Sequence, residues 1–325
     1  MQLSGIHHVT AVTAKASQNL HFYTQILGLR LVKKTVNQDD VRAYHLFYAD
    51  GADSPGSDLT FFDWSLAARE IRGNNSISRT ALRVRESSLE WWAAHLTEKG
   101  VQHGGVLEQG GYFTPEFDDF ENQRLALVGD PNPAPAHPWP RSPVPLEHQI
   151  LGLGPVTLTL PRLTPTDKLL SKVYGMRAAR HYPDPESVAH TVHVFKMGLG
   201  GPSAEVHIRV RPDLPMARAG AGGVHHLAFR IPDADYHAWS ARLEGFGLRT
   251  SGEVDRFYFR SLYYREPNGI LIELATDGPG FASDEDAATM VESLSLPPFL
   301  EGRRTEIESK LKTLELFANL PDSSG

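Results

Sequence analysis

Two stretches decide the architecture: Gly5-Ile6-His7-His8-Val9-Thr10-Ala11-Val12 (GIHHVTAV), and its echo GVHHLAFRI at Gly223–Ile231. Each is an apolar strand carrying a His-His pair, and each is followed by an amphipathic helix that stops at a glycine. After the first, the spacing predicts a helix from Ser17, a suitable N-cap, to Leu27, closed by Gly28. After the second, DADYHAWSARLEGFG closes at Gly247. The same order recurs without histidine from RTALRVR (Arg79–Arg85), closing at Gly100, and from PVTLTLP (Pro155–Pro161), closing at Gly175. Short β-type runs follow each helix. A unit repeated about every seventy residues, each time β-α-β-β-β, makes the chain an α+β protein of four modules.

Proline at every second or third position of PNPAPAHPWPRSPVP (Pro131–Pro145) forbids helix and interior strand. The expected organisation is therefore modules 1 and 2 in residues 1–130, a linker over 131–149 and modules 3 and 4 in residues 150–278. A tail over 279–325 breaks the pattern and is expected to form helices divided at Pro297-Pro298.

The chain has 325 residues, 32 Lys and Arg against 39 Asp and Glu, a net charge of −7, and no cysteine. The anionic balance argues against nucleic acid or an anionic membrane as partner. The absence of cysteine excludes disulfides, thiolate metal sites and thiol nucleophiles together. With no basic, apolar leader and no long apolar run, a cytoplasmic protein is expected. A homo-oligomer is compatible with all of this.

Chemistry concentrates on the paired histidines. Alternation puts His226, Ala228 and Arg230 on one strand face and His225, Leu227, Phe229 and Ile231 on the apolar other. The mixed face suits a wet cavity, so His226, and His8 by equivalence, are the candidate metal ligands. Glu273 interrupts the apolar run GILIELATD, and a carboxylate buried there needs a cation or strong donors. The turn Glu266-Pro267-Asn268-Gly269-Ile270 pairs Glu266 with Ile270, which sets Tyr263 opposite Glu273. Two imidazoles and one carboxylate suit Fe(II), although Mn, Zn or Ni could take the same ligands.

These features resemble the vicinal oxygen chelate superfamily of glyoxalases, bleomycin-resistance proteins and extradiol dioxygenases, whose fold is an open mixed β-barrel built from such modules. More narrowly, HHVT, YHLFYAD, SLEWW, PLEH, GVHHLAF, YYREPNGILIELATDGPGF and LSLPPFLEGRR resemble the ring-cleaving hydroquinone dioxygenases from Ile6 to Arg304. The resemblance implies Fe(II) on His8, His226 and Glu273, with His7, Thr10, His225, Arg256 and Tyr263 around it, and a small aromatic substrate with O₂. Strict alternation would turn His7 and His225 away from the cavity, so that role requires a strand end or a bulge. The alternatives are a zinc- or nickel-dependent glyoxalase-like isomerase and a metal-free binder of aromatic compounds. The isomerase needs a fourth protein ligand, and SDLTFFDW shows threonine and phenylalanine around the equivalent place.

Overall fold

Strands form where apolar and β-branched residues run unbroken, and in a computed structural model, which describes residues 1–286 and 290–314, they fall into the four expected modules. Module 1 is β1 (Gly5–Thr13), α1 (Ala16–His21), β2 (Arg30–Val36), β3 (Tyr44–Ala49) and β4 (Asp58–Asp63). Module 2 is β5 (Ser76–Arg85), α2 (Leu89–Glu98), the small hairpin β6 (Leu107–Gln109) and β7 (Tyr112–Thr114), β8 (Glu116–Asp118) and β9 (Arg124–Asp130). Module 3 is β10 (Gly152–Leu160), α3 (Thr164–Lys168), β11 (Arg177–Asp184), β12 (Ser187–Lys196) and β13 (Glu205–Val210). Module 4 is β14 (Val224–Ile231), α4 (Tyr236–Gly245), β15 (Val254–Asp255), β16 (Arg260–Arg265) and β17 (Leu271–Thr276).

The closing glycines Gly28, Gly100, Gly175 and Gly247 have φ of 71°, 70°, 69° and 74°, a left-handed conformation that other residues adopt only with strain. The first helix begins at Ala16, with Lys15 rather than Ser17 at its cap, and runs on as a π-helical turn over Phe22–Ile26.

Modules pair across the chain rather than along it. One sheet runs β15-β16-β17-β14-β1-β4-β3-β2, uniting modules 4 and 1, and the other runs β11-β12-β13-β10-β5-β9-β8, uniting modules 3 and 2. Each curls into an open barrel, and each is stitched by its two first strands lying antiparallel, β1 on β14 and β10 on β5. Both barrels therefore draw one module from either side of the proline-rich segment. That segment carries no strand or helix but is tied to module 1: Gly51 N donates to His137 O at 2.8 Å, Ser142 Oγ to Gly28 O at 2.7 Å, and Val144 is buried.

Beyond β17, the described residues form a 3₁₀ turn at Phe281–Ser283 and, after Pro297, α5 (Pro298–Glu301) and α6 (Arg304–Glu308). The helix expected to precede Pro297 is not found among its described residues; residues 287–289 and 315–325 lie outside the description. Buried Lys33 explains the irregular course, since its Nζ takes Phe281 O at 3.2 Å and Asp284 Oδ1 and Glu285 Oε2 at 2.5 Å each, while Ser295 N donates to Lys34 O. Leu294, Leu296, Leu300 and Ile307 pack on Val36, so the segment covers the barrel of modules 1 and 4. No helix among the described residues is long and apolar enough to cross a membrane.

Candidate metal centre and pocket

Two bulges build the centre. Across β1 and β14, Ile6 pairs with Phe229 and His8 with Ala228, which leaves His7 extra; Thr10 pairs with His226 and Ala11 with Val224, which leaves His225 extra. A bulge places consecutive side chains on the same side of a sheet. Both members of each pair are thereby brought together, and the conflict with strict alternation disappears.

Three buried ligand atoms converge. His8 Nε2 and His226 Nε2 are 3.2 Å apart, and Glu273 Oε2 lies 3.1 Å from the first and 2.9 Å from the second. They form the only His, Cys, Asp or Glu cluster of metal-ligand geometry among the described residues. The β16–β17 hairpin has the register read from its turn, with Tyr263 opposite Glu273.

Hydrogen bonds settle the tautomers on one side. Thr276 O can only accept, so His7 Nε2, at 3.1 Å, must carry the proton. Burial, reinforced by His8, lowers the pKa of His7 to about 4, so its ring is neutral and Nδ1 is a lone pair. That lone pair accepts from His8 Nδ1 at 2.9 Å, which turns a bare Nε2 toward the centre. The other half repeats the arrangement: His225 Nδ1 stands 2.7 Å from His226 Nδ1, and burial with the neighbouring His226 lowers His225 to about 3. Glu273 is fully buried beside both imidazoles. Ser261 Oγ donates to its Oε1 at 2.5 Å, whereas Oε2 is buried and receives no hydrogen bond. Acceptors facing one another at this spacing repel unless a cation lies among them, so the donor set fits a divalent metal.

The ligands open into a pocket of about 40 Å³ lined by aromatic side chains, among them Phe47, Phe62, Phe259 and Tyr263. Phe259 lies 5.5 Å from the rings of both His7 and His8. Arg256 Nε donates to Tyr263 Oη at 3.2 Å, and its guanidinium is fixed by Asp39 at 2.9 and 3.2 Å. Burial, and then the charge of Glu273, raises the pKa of Tyr263, so the phenol keeps its proton.

All eight residues singled out from the sequence meet here, with different contacts. His225 is half-buried with its ring 5.5 Å from those of both Phe62 and Trp64, and Thr10 Oγ1 bonds Thr60 Oγ1 at 2.8 Å rather than a ligand. Among the neighbours that escaped the sequence reading are Ser261, Asp39 and His45. His45 Nε2 is 3.0 Å from Thr60 Oγ1. The signal for His45 was present, since it alternates with Phe47 on β3 inside YHLFYAD. Asp39 meets Arg256 from far along the chain and had no local signal.

Sheet register locates the place of a fourth ligand. Glu273 lies beside Ala228 of β14, and the corresponding position in module 1 is Thr60, beside Thr10 of β1. A threonine is too short to reach the centre, which leaves three candidate ligands among the described residues.

The glyoxalase/bleomycin resistance protein/dioxygenase superfamily model matches residues 5–132 and 152–274. The chain belongs to this superfamily. Within it, the chain is 44% identical over 318 residues, 97% of its length and 100% of the relative's, to the protein of Bacillus subtilis assigned as the ring-cleaving dioxygenase MhqA. It is 29% identical, over 94% of its length and 95% of the relative's, to the chlorohydroquinone/hydroquinone 1,2-dioxygenase of Sphingobium indicum. A crystal structure assigned as a dioxygenase from Bacillus subtilis superposes with a TM-score of 0.89 at 33% identity, covering 97% of this chain and 98% of that one. Glyoxalase I from Zea mays, at 14% identity and a TM-score of 0.62 over 84% of this chain and 92% of its own, shares the fold. This superfamily member is an enzyme of the ring-cleaving dioxygenase type.

Proposed function

We propose that the protein is an Fe(II)-dependent dioxygenase that opens the ring of a hydroquinone, with methyl or chloro substituents as candidate decorations. The observation that carries this reading is a centre of His8, His226 and Glu273 with Thr60 where a fourth ligand would stand. Three protein ligands leave positions for substrate and O₂. Bound there, Fe(II) would supply the electronic path between the aromatic ring and oxygen.

The chain's own residues do the rest. Phe47, Phe62 and Phe259 form apolar walls for a flat ring and exclude water from it. Arg256, held by Asp39, offers a fixed positive charge to oxygen that becomes anionic. Tyr263 keeps a proton at Oη that it can donate, and Arg256 positions that oxygen. His7 orients His8 through Thr276 O, and His225 bonds the outer nitrogen of His226.

The isomerase alternative lacks its fourth ligand, and a metal-free binder would leave three acceptors facing one another without compensation. The test is an oxygen electrode, with the protein reloaded with Fe(II) under reducing conditions. The expected result is uptake of equimolar O₂ with hydroquinone and a ring-opened acid as product, and none from the zinc form. No uptake with any hydroquinone, together with methylglyoxal–glutathione isomerase activity of the zinc or nickel form, would overturn the reading.

A further inference from the structure

The two halves of the metal-bearing barrel differ at one pair of positions. In module 4, Ser261 on β16 supports Glu273 on β17, Oγ to Oε1 at 2.5 Å. The register of module 1 puts His45 on β3 where Ser261 stands, because His45 pairs with Phe62 on β4 as Ser261 pairs with Ala275 on β17. Thr60 stands where Glu273 does, so the hydrogen-bonded pair recurs with its sizes exchanged: short Ser under long Glu on one side, long His beside short Thr on the other. The space a carboxylate would fill is thus bordered by an imidazole.

We propose that His45 is a further substrate-binding residue, hydrogen-bonding a ring hydroxyl on the side of the centre where module 1 supplies no ligand. Thr60 Oγ1 holds its Nε2 at 3.0 Å, and Phe47 and Phe62 hold the ring by contacts of 3.9 and 4.4 Å between centroids, so the imidazole is preorganised. His45 lines the pocket together with His8 and His226. Nδ1 has no hydrogen-bond partner among the described residues, which leaves that nitrogen for a ligand. A phenolic hydroxyl both donates and accepts, so it satisfies Nδ1 in either tautomer. Leaving this half-buried, pocket-lining partner unpaired would weaken binding by about 10–100-fold.

This inference takes its substrate class from the proposed function, and a binding measurement separates the two. Hydroquinone is titrated anaerobically into zinc-loaded wild type, His45→Phe, His45→Gln and Thr60→Val, with metal content and melting temperature recorded; steady-state O₂ uptake follows with the iron forms. The expected result is full metal content throughout and a Kd raised about 10–100-fold in His45→Phe. KM should rise in step while kcat changes less. His45→Gln, which can still bond a hydroxyl, should recover most of the affinity, and Thr60→Val should show an intermediate loss because it frees the imidazole. Unchanged affinity in metal-replete His45→Phe or in Thr60→Val would overturn the proposal, as would loss of metal from both. If His45→Phe does not fold, His45→Gln and Thr60→Val decide. Wild type that binds hydroquinone but takes up no O₂ would sink the proposed reaction and leave the His45 result standing.

Discussion

The two barrels have the same plan and opposite interiors. Register maps His226 onto Arg79, since each faces the threonine of the adjoining first strand, and maps Glu273 onto Ala126. Pro155 stands in β10 where His8 stands in β1, one residue ahead of Val156 as His8 is ahead of Val9. With every ligand replaced, the barrel of modules 2 and 3 fills its interior with ion pairs. Asp184 takes Arg209 Nε at 2.7 Å and Arg211 Nη1 at 3.2 Å, Glu205 takes Arg180 at 2.8 Å, and Arg79 pairs with Glu116. One barrel balances its buried charges internally, while the other leaves a carboxylate oxygen and two ring nitrogens unbalanced. That imbalance marks the functional barrel, because a charge without a partner is retained at a cost only where a ligand offsets it.

The largest effect should come from removing a ligand. Glu273→Ala or His226→Ala should abolish tight metal binding, measured as metal per folded chain, and a metal-replete Glu273→Ala protein would break the contrast between the barrels. The matching change in the other barrel, Asp184→Asn, removes a buried carboxylate from Arg209 and Arg211, which keep Glu186 and Asp213, and should cost about 1–3 kcal/mol by urea unfolding. Its metal content per folded chain should stay at the wild-type level. Tyr263→Phe should keep its metal and slow turnover by ~10²-fold or more if the phenol delivers a proton in the limiting step, as read by O₂ uptake.

Smaller effects test the support of the ligands. His7→Ala and His225→Ala should each lower metal affinity or activity by ~10–100-fold. His7 should matter more, because only its ring is anchored to a backbone carbonyl, Thr276 O. Complete loss of metal from His225→Ala, with retention in His226→Ala, would reverse the assignment within the pairs.

The smallest effect concerns a charge in the metal-bearing barrel that serves no ligand. Burial, aided by Asp50, raises Asp53 to about 7 despite its hydrogen bond with Asp58. The folded state therefore binds more protons than the unfolded one between about pH 4 and 7, and stability falls as pH rises through that window. Asparagine tolerates the left-handed backbone of Asp53, φ 57°. Asp53→Asn should thus stabilise by on the order of 1 kcal/mol at pH 8 and by little near pH 4. Equal urea midpoints for the two proteins at pH 8 would contradict it.

Much of the centre was legible because its signals are local. Paired histidines in equivalent strands, a glutamate interrupting an apolar run and a Pro-Asn-Gly turn that sets register all lie within short windows, and the hairpin indeed opposes Tyr263 to Glu273. The pairing of modules 1 with 4 is not local: β1 meets β14 from more than two hundred residues away. Its signal was chemical, since His8 can share a metal with His226 and Glu273 only if their modules abut. The bulges at His7 and His225 had no pattern of their own, because alternation describes regular strands alone. The stretch before Pro297 looked helical for want of knowing that buried Lys33 would bind Asp284 and Glu285.

The most direct test of the central claim is anomalous diffraction at the iron edge from crystals of the Fe(II)-loaded protein. The account predicts a single peak per chain, bonded to His8 Nε2, His226 Nε2 and a Glu273 carboxylate oxygen, with Thr60 and His45 unbound and the barrel of modules 2 and 3 empty of metal. A peak among Arg79, Asp184 and Glu205, or a fourth protein ligand on the iron, would contradict it.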